Sequence, residues 1–441
     1  MSNPPQSCDI LIKNARYLDA DCAVQAAGCI AVENGAIVHI GAAEGWQGRQ
    51  TLDGGGLLWM PGLVDGHTHT SQQLLRGRLL DEKPVIWKRI NVPFEAQLTE
   101  ETSALSAALC ALEMIRSGTT GFIDAGGKYV SAFAEVYAKA GLRGRLSCMT
   151  NDNPHFPEAL RVDVKTGLAR QVELHRALAQ SGSLLEGVFS VTALTAASEG
   201  LIREIFACAK AEGIATEVHM NEYASEVYDF IERYGLRPFE WLAQEGLIGG
   251  RFTAAHGIFL SPAEIEIVLA HGVRVMHYPF SNCGKGVPPT PQLLARGATV
   301  GLGSDGSAHG GVDLFREMRL LRGVMNAKHG IETADCQVMP AESLLRMATA
   351  GGAAALDVAG LGVLVPGAPA DMIAIGVDAP HLFPTQNLVH TLVESACGSD
   401  VRHMLVGGKL VMKDREVLTL DQERILHEAG QLAASGRFYW A

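Results

Sequence analysis

Hydrophobic positions change their spacing along the chain. From residue 9 to 60 they come in short runs, Ile10-Leu11-Ile12, Cys29-Ile30-Ala31-Val32 and Ala36-Ile37-Val38-His39-Ile40, the last entered through Asn34-Gly35. Short apolar runs between turn residues predict strands, and Asn-Gly between two of them predicts a hairpin. The far end has the same texture: Asp371-Met372-Ile373-Ala374-Ile375, then His403-Met404-Leu405-Val406 turning at Gly407-Gly408 into Lys409-Leu410-Val411-Met412. Two strand-rich ends around a different middle predict one small β-sandwich built from both, because each end then covers strand edges the other leaves bare.

Between the ends, short apolar runs alternate with longer stretches of helical period, the rhythm of βα units and a parallel sheet. Eight runs can be counted: Gly62 to Asp65, Thr120 to Asp124, Gly144 to Cys148, Gly187 to Val191, Ala215 to His219, Phe252 to His256, Val273 to His277 and Thr299 to Gly303. Eight parallel strands close a TIM-type (β/α)8 barrel. The expected division is residues 1–60 for the first part of the sandwich, 61–364 for the barrel, and 365–441 for the rest of the sandwich and a tail. Intervening stretches such as Glu101 to Ser117 and Glu199 to Glu212 read as helices that stop at glycine.

Composition narrows the function. The 441 residues are 47% hydrophobic and 19% charged, an ordinary folded chain and not a disordered one. A net charge of −12 with no basic run argues against a nucleic-acid partner. Nine cysteines without a CxxC pair suit reduced thiols rather than a disulfide framework. The start of the chain has no charged segment leading into an apolar core, and no stretch approaches the roughly 18 apolar residues of a membrane span. A cytoplasmic protein that does not enter membranes is expected.

Several predicted strands end in residues able to bind metal or move protons, and barrel enzymes build their sites at those ends. In Asp65-Gly66-His67-Thr68-His69, residues two apart on a strand point the same way, so His67 and His69 can share one ion. His219 ends the fifth strand, and Glu222 follows three residues later. Asp305 lies just past the eighth strand in Gly303-Ser304-Asp305-Gly306, where a plain turn aspartate is the competing reading. Three histidines and a carboxylate with an open position describe a catalytic zinc site rather than a closed structural one. His256 and His277, ending strands six and seven, are candidates for polarising or hydrogen-bonding a substrate; for His277 simple packing beside Pro279 is the alternative. Glu222 is a carboxylate that could reach the same cavity, against the alternative of a solvated helix-start carboxylate.

These motifs, in this order, resemble the amidohydrolase superfamily, and within it the branch of S-adenosylhomocysteine/5-methylthioadenosine deaminases and triazine hydrolases. The resemblance rests on MPGLVDGHTHTSQQLLRG, HMNE, SNCGKG, GLGSDG and the closing Asp378-Ala379-Pro380-His381 and Gly398-Ser399-Asp400-Val401-Arg402 segments. It implies one Zn2+ per subunit, with Fe2+ or Mn2+ as alternatives, held by His67, His69, His219 and Asp305. It further implies that Asp305, Glu222 and His256 act on water and substrate, with Glu222 in its protonated form donating to the substrate ring, and that the chain forms a homo-oligomer. No lysine stands in Phe189 to Leu194, where two-metal relatives carry a bridging one. The implied reaction is deamination of a small N-heterocycle with release of ammonia. The rival keeps the same site but expels chloride or an alkylamine from a triazine-like ring, and a non-catalytic binding protein on the same barrel is the reading from another class. Two departures from the branch concern the substrate. Val191-Thr192-Ala193-Leu194-Thr195 lacks the branch's histidine after strand four, and Ser307-Ala308-His309 replaces a Ser-Asn pair, making His309 a candidate contact. Trp87 is a candidate to close over the pocket.

Overall fold

Asn34 and Gly35, with φ of 50° and 82°, turn strand Cys29–Glu33 back into Ala36–Gly41. Two consecutive left-handed residues match the twist of a tight hairpin, and Asn and Gly are the residues that adopt that conformation cheaply. Gly407 and Gly408 make the same turn between Val401–Val406 and Lys409–Lys413. The computed structural model describes residues 6–26, 28–83 and 85–438, so the first five positions of the expected 1–60 unit lie outside the described residues.

Two sheets form from the ends of the chain. One has four strands in the spatial order Ala36–Gly41, Cys29–Glu33, Gln6–Lys13, Trp46–Asp53. The other has seven, and in it Leu57–Pro61 from the first part of the chain pairs antiparallel with Met372–Gly376 from the last. Ile10, Ile12, Ile30, Val32, Trp59, Met372 and Leu405 pack between them as one buried cluster. Neither stretch could bury these side chains alone, which is the reason the ends meet.

The middle is a (β/α)8 barrel. Its strands are Leu63–His69, Thr119–Gly127, Arg143–Cys148, Leu185–Gly187, Thr216–Met220, Phe252–His256, Arg274–His277 and Val300–Leu302, the last resuming at Asp305–Gly306. Neighbours pair in parallel; a bridge from Phe189 to Thr216 joins strands four and five, and the two pieces of the eighth strand pair with the seventh and the first. Helix Glu100–Ser117 starts at a Thr99 capping box and stops at left-handed Gly118; Glu199–Glu212 is capped by Ser198 and stopped by Gly213. Among the described residues no helix is long and apolar enough to cross a membrane.

The fourth strand corrects the sequence expectation. Laddering covers Leu185–Gly187 and single backbone bonds carry the pairing on to Phe189, so the strand starts and stops earlier than the expected Gly187 to Val191. The Gln171 side chain takes both backbone groups of Ser190, accepting its N–H at 2.9 Å and donating to its carbonyl, so that peptide is not available to a neighbouring strand.

Candidate functional site

The first strand delivers two imidazoles to one place. His67 is fully buried and His69 nearly so, with their Nε2 atoms 3.1 Å apart; His219, from the end of strand five, puts its Nε2 3.2 Å from that of His69. Asp305 Oδ1 lies 3.3 Å from His69 Nε2 and 3.7 Å from His67 Nε2. Ligands bonded at about 2.0–2.1 Å in a tetrahedron stand roughly 3.3 Å apart, so these four donor atoms have the spacing of a metal cage. His67 Nδ1 lies 2.5 Å from Glu217 Oε1, which leaves its Nε2 lone pair for a cation. The donor set therefore fits a divalent metal. The electrostatics agree: burial disfavours a charged His67, yet Glu217 and Asp305 outweigh it and raise its pKa to about 10, drawing positive charge to this point. Burial and the neighbouring rings push His219 down to about 3, keeping it a neutral donor.

Backbone detail fixes the aim. His256, at the end of its strand, and Asp305, where the eighth strand resumes, have φ of 73° and 59°, a left-handed conformation that costs non-glycine residues of order 1 kcal/mol or more. Gly303 must lack a side chain, because a Cβ there would stand 2.7 Å from the Tyr278 ring and 2.8 Å from His67 N. Asp65 accepts both Ser304 N–H (2.9 Å) and Ser304 O–H (2.6 Å), tying strand one to the residue before Asp305.

Beside the cage, His256 donates Nδ1–H to Asn282 Oδ1 at 3.0 Å. Its Nε2 points at Glu222 Oε1 (3.6 Å) and Asp305 Oδ2 (3.9 Å). Burial lowers the pKa of His256 to about 4, so it is neutral with an accepting Nε2. Glu222 differs from expectation. As a donor it is expected to carry a proton, but although burial opposes its charge, the Lys285 ammonium beside it outweighs burial and holds it down at about 2. Lys285 Nζ is 2.7 Å from Glu222 Oε1. Glu222 at rest is a carboxylate that must first gain the proton it later gives away.

A cavity of about 300 Å³ opens over these groups. Trp87 and His309 both line it, together with Gln72, Glu95 and Lys285. His277 lies behind this lining: it is fully buried, and its Nδ1 donates to the His256 carbonyl at 2.8 Å. Thr192 and Ala193, from the stretch after strand four, line the cavity wall. The sequence reading assigned nothing to Glu217, although it lies two residues before His219 and the period of a strand puts both on one side. Lys285 stands within SNCGKG but, like Glu95, has no neighbour along the chain that marks it out for the site. A second grouping of potential ligands, His381, Cys397 and Asp400, is a turn: Asp400 Oδ2 already accepts Cys397 N–H (2.9 Å) and faces His381 Nε2 (3.0 Å).

Comparison with known proteins follows the same lines. The model of the amidohydrolase family matches residues 58–411. A 5-methylthioadenosine/S-adenosylhomocysteine deaminase of Syntrophobacter fumaroxidans is 36% identical over 437 residues, covering 96% of this chain and 98% of the relative. The crystal structure of an adenosine deaminase from Xanthomonas campestris with bound zinc superposes with a TM-score of 0.92 at 28% identity, over 99% of this chain and all of that one. An atrazine chlorohydrolase from Arthrobacter aurescens TC1, complexed with zinc, shares the fold with a TM-score of 0.87 at 21% identity, over 96% of this chain and 99% of the other.

Proposed function

The chain belongs to the amidohydrolase family, in the branch of S-adenosylhomocysteine/5-methylthioadenosine deaminases and triazine hydrolases, and from that premise we propose that it replaces the amino group of an adenosine-like nucleoside by oxygen. It is a hydrolase of non-peptide C–N bonds, a metal-dependent aminohydrolase that deaminates a small N-heterocycle and releases ammonia. The observation that carries the finer reading is Glu222, held 3.6 Å from His256 Nε2 beside the four-donor cage. Cleaving an amine from an aromatic ring needs proton delivery to the ring and to the leaving nitrogen, which ester hydrolysis does not.

We assign one zinc per subunit to His67, His69, His219 and Asp305. Such a cation supplies Lewis acidity that brings solvent within reach of deprotonation near neutral pH. The chain's own groups do the rest. His256 Nε2 accepts a hydrogen bond from the attacking solvent and fixes its direction. Glu222 and Asp305, both carboxylates at rest, take up its protons. Glu222 passes one to the ring nitrogen next to the carbon under attack, so negative charge does not build up on the ring. A proton then moves to the amine, the C–N bond breaks, and water has become the oxo group of the product, the hydrogen on its ring nitrogen and one hydrogen of the released ammonia. Trp87 and His309 are assigned to substrate binding. The catalytic work belongs to residues 61–364, with the sandwich of 1–60 and 365–441 as its support. We read the protein as a cytoplasmic homo-oligomer, from its reduced thiols and from its branch.

The test is a panel of adenosine, 5-methylthioadenosine, S-adenosylhomocysteine, guanine, a pterin, and chloro- and alkylamino-triazines, offered to zinc-loaded protein. Ammonia release with an ultraviolet change on an adenine nucleoside is expected. Release of chloride or alkylamine without ammonia would overturn the reading in favour of triazine hydrolysis.

A further inference from the structure

The segment after the seventh strand touches all three residues that orient the attacking solvent or carry its protons in the proposed reaction. Ser281 donates its hydroxyl to Asp305 Oδ2, Asn282 accepts from His256 Nδ1, and Lys285 reaches Glu222. Ser281 and Lys285 are one helical turn apart in sequence, and Lys285 Nζ also donates to Ser281 Oγ at 2.8 Å and lies 3.5 Å from Asp305 Oδ2. Its side chain is only 12% exposed, and it is the one lysine or arginine lining the cavity among the described residues.

Two anionic side chains facing one small cavity repel each other and swing apart unless a cation lies between them. Lys285 stands in that place. The two oxygens of Asp305 are thereby divided: Oδ2 faces Ser281 and Lys285, and Oδ1 faces His67 and His69. Glu222 is held through Oε1, the oxygen that also faces His256 Nε2.

We propose that Lys285 is a positioning residue which pins the Glu222 carboxylate over the reacting centre and keeps it separate from Asp305. The inference rests on the deaminase reading above. It does not make Lys285 a part of the metal cage, whose donors are complete without it.

The test uses the zinc-loaded full chain. Lys285→Met should keep one zinc per subunit and leave KM within about threefold, while kcat falls about 100-fold or more, the usual consequence of a misplacement near 1 Å. Lys285→Arg, which keeps the charge, should recover at least about tenfold of that loss. A crystal structure of zinc-loaded Lys285→Met should show the Glu222 carboxylate displaced and Asp305 still among the three imidazoles. If Lys285→Met does not fold, Lys285→Gln takes its place in each measurement. A kcat within about threefold of the parent, a rise in KM alone, loss of zinc, or an unmoved Glu222 each overturns the proposal. If the parent protein releases no ammonia from any compound, the deaminase reading has failed, and the position of Glu222 in the variant crystal still decides the role of Lys285.

Discussion

Glu217 Oε1 lies 2.5 Å from His67 Nδ1, with both side chains buried and the two residues 150 positions apart in the chain. The carboxylate orients the ring and makes its far nitrogen a better donor, the relation by which supporting carboxylates tune metal-bound histidines. Glu217→Gln keeps the shape and removes the charge. Zinc affinity should fall about 10- to 100-fold, read by equilibrium competition with a chelator of known strength. An unchanged affinity would refute the role.

The same pair predicts how metal retention depends on pH. With the pKa of His67 raised to about 10, the metal-free protein holds a proton where the cation belongs. That proton stabilises the metal-free fold fully below about pH 6.5, and the contribution is lost as pH rises through 10. A metal must displace it, so zinc binding at pH 8 should release about one proton, and affinity should weaken about tenfold for each unit of acidification. Proton release measured on adding zinc in weakly buffered solution checks this; no release means the ring is already deprotonated.

Removing the Glu222 proton relay should separate chemistry from metal binding. Glu222→Gln is expected to cut kcat by about 10²- to 10⁴-fold, the usual worth of a positioned acid or base, with zinc content unchanged. Metal analysis beside steady-state kinetics decides it. Loss of zinc in step with activity would place Glu222 in the cage instead.

Glu317 offers a stability test away from the cage. Burial raises its carboxyl to about 8, against the N–H of Phe280, which it accepts at 2.9 Å. A raised acid is protonated in the folded state while the unfolded chain has already lost that proton. Its contribution is therefore present below about pH 4.5 and is lost as pH climbs to about 8. Glu317→Gln does not titrate and can still accept from Phe280. Its stability advantage should grow from near zero at pH 4.5 to on the order of 3 kcal/mol at pH 8.5 in urea unfolding. A difference that stays flat with pH would show that Glu317 titrates normally.

Much of this molecule is readable because its signals are local. Asn34-Gly35 and Gly407-Gly408 announce their hairpins, glycines end the helices at Gly118 and Gly213, and His67 and His69 share a side because a strand has period two. Those facts need only near neighbours. The barrel order follows from counting such strands, since eight parallel strands close on themselves. Tertiary structure decided what depends on distant partners. It ended the fourth strand earlier, because Gln171 reached Ser190 first, and it turned His277 behind the cavity lining to face the His256 carbonyl. It also brought Glu217 to His67 and Lys285 to Glu222, and so set the charges on which the chemistry runs. A residue's type and spacing show what it can bond along its own strand, but its protonation is set by burial and by charges a few ångströms away, and only the closed barrel determines those.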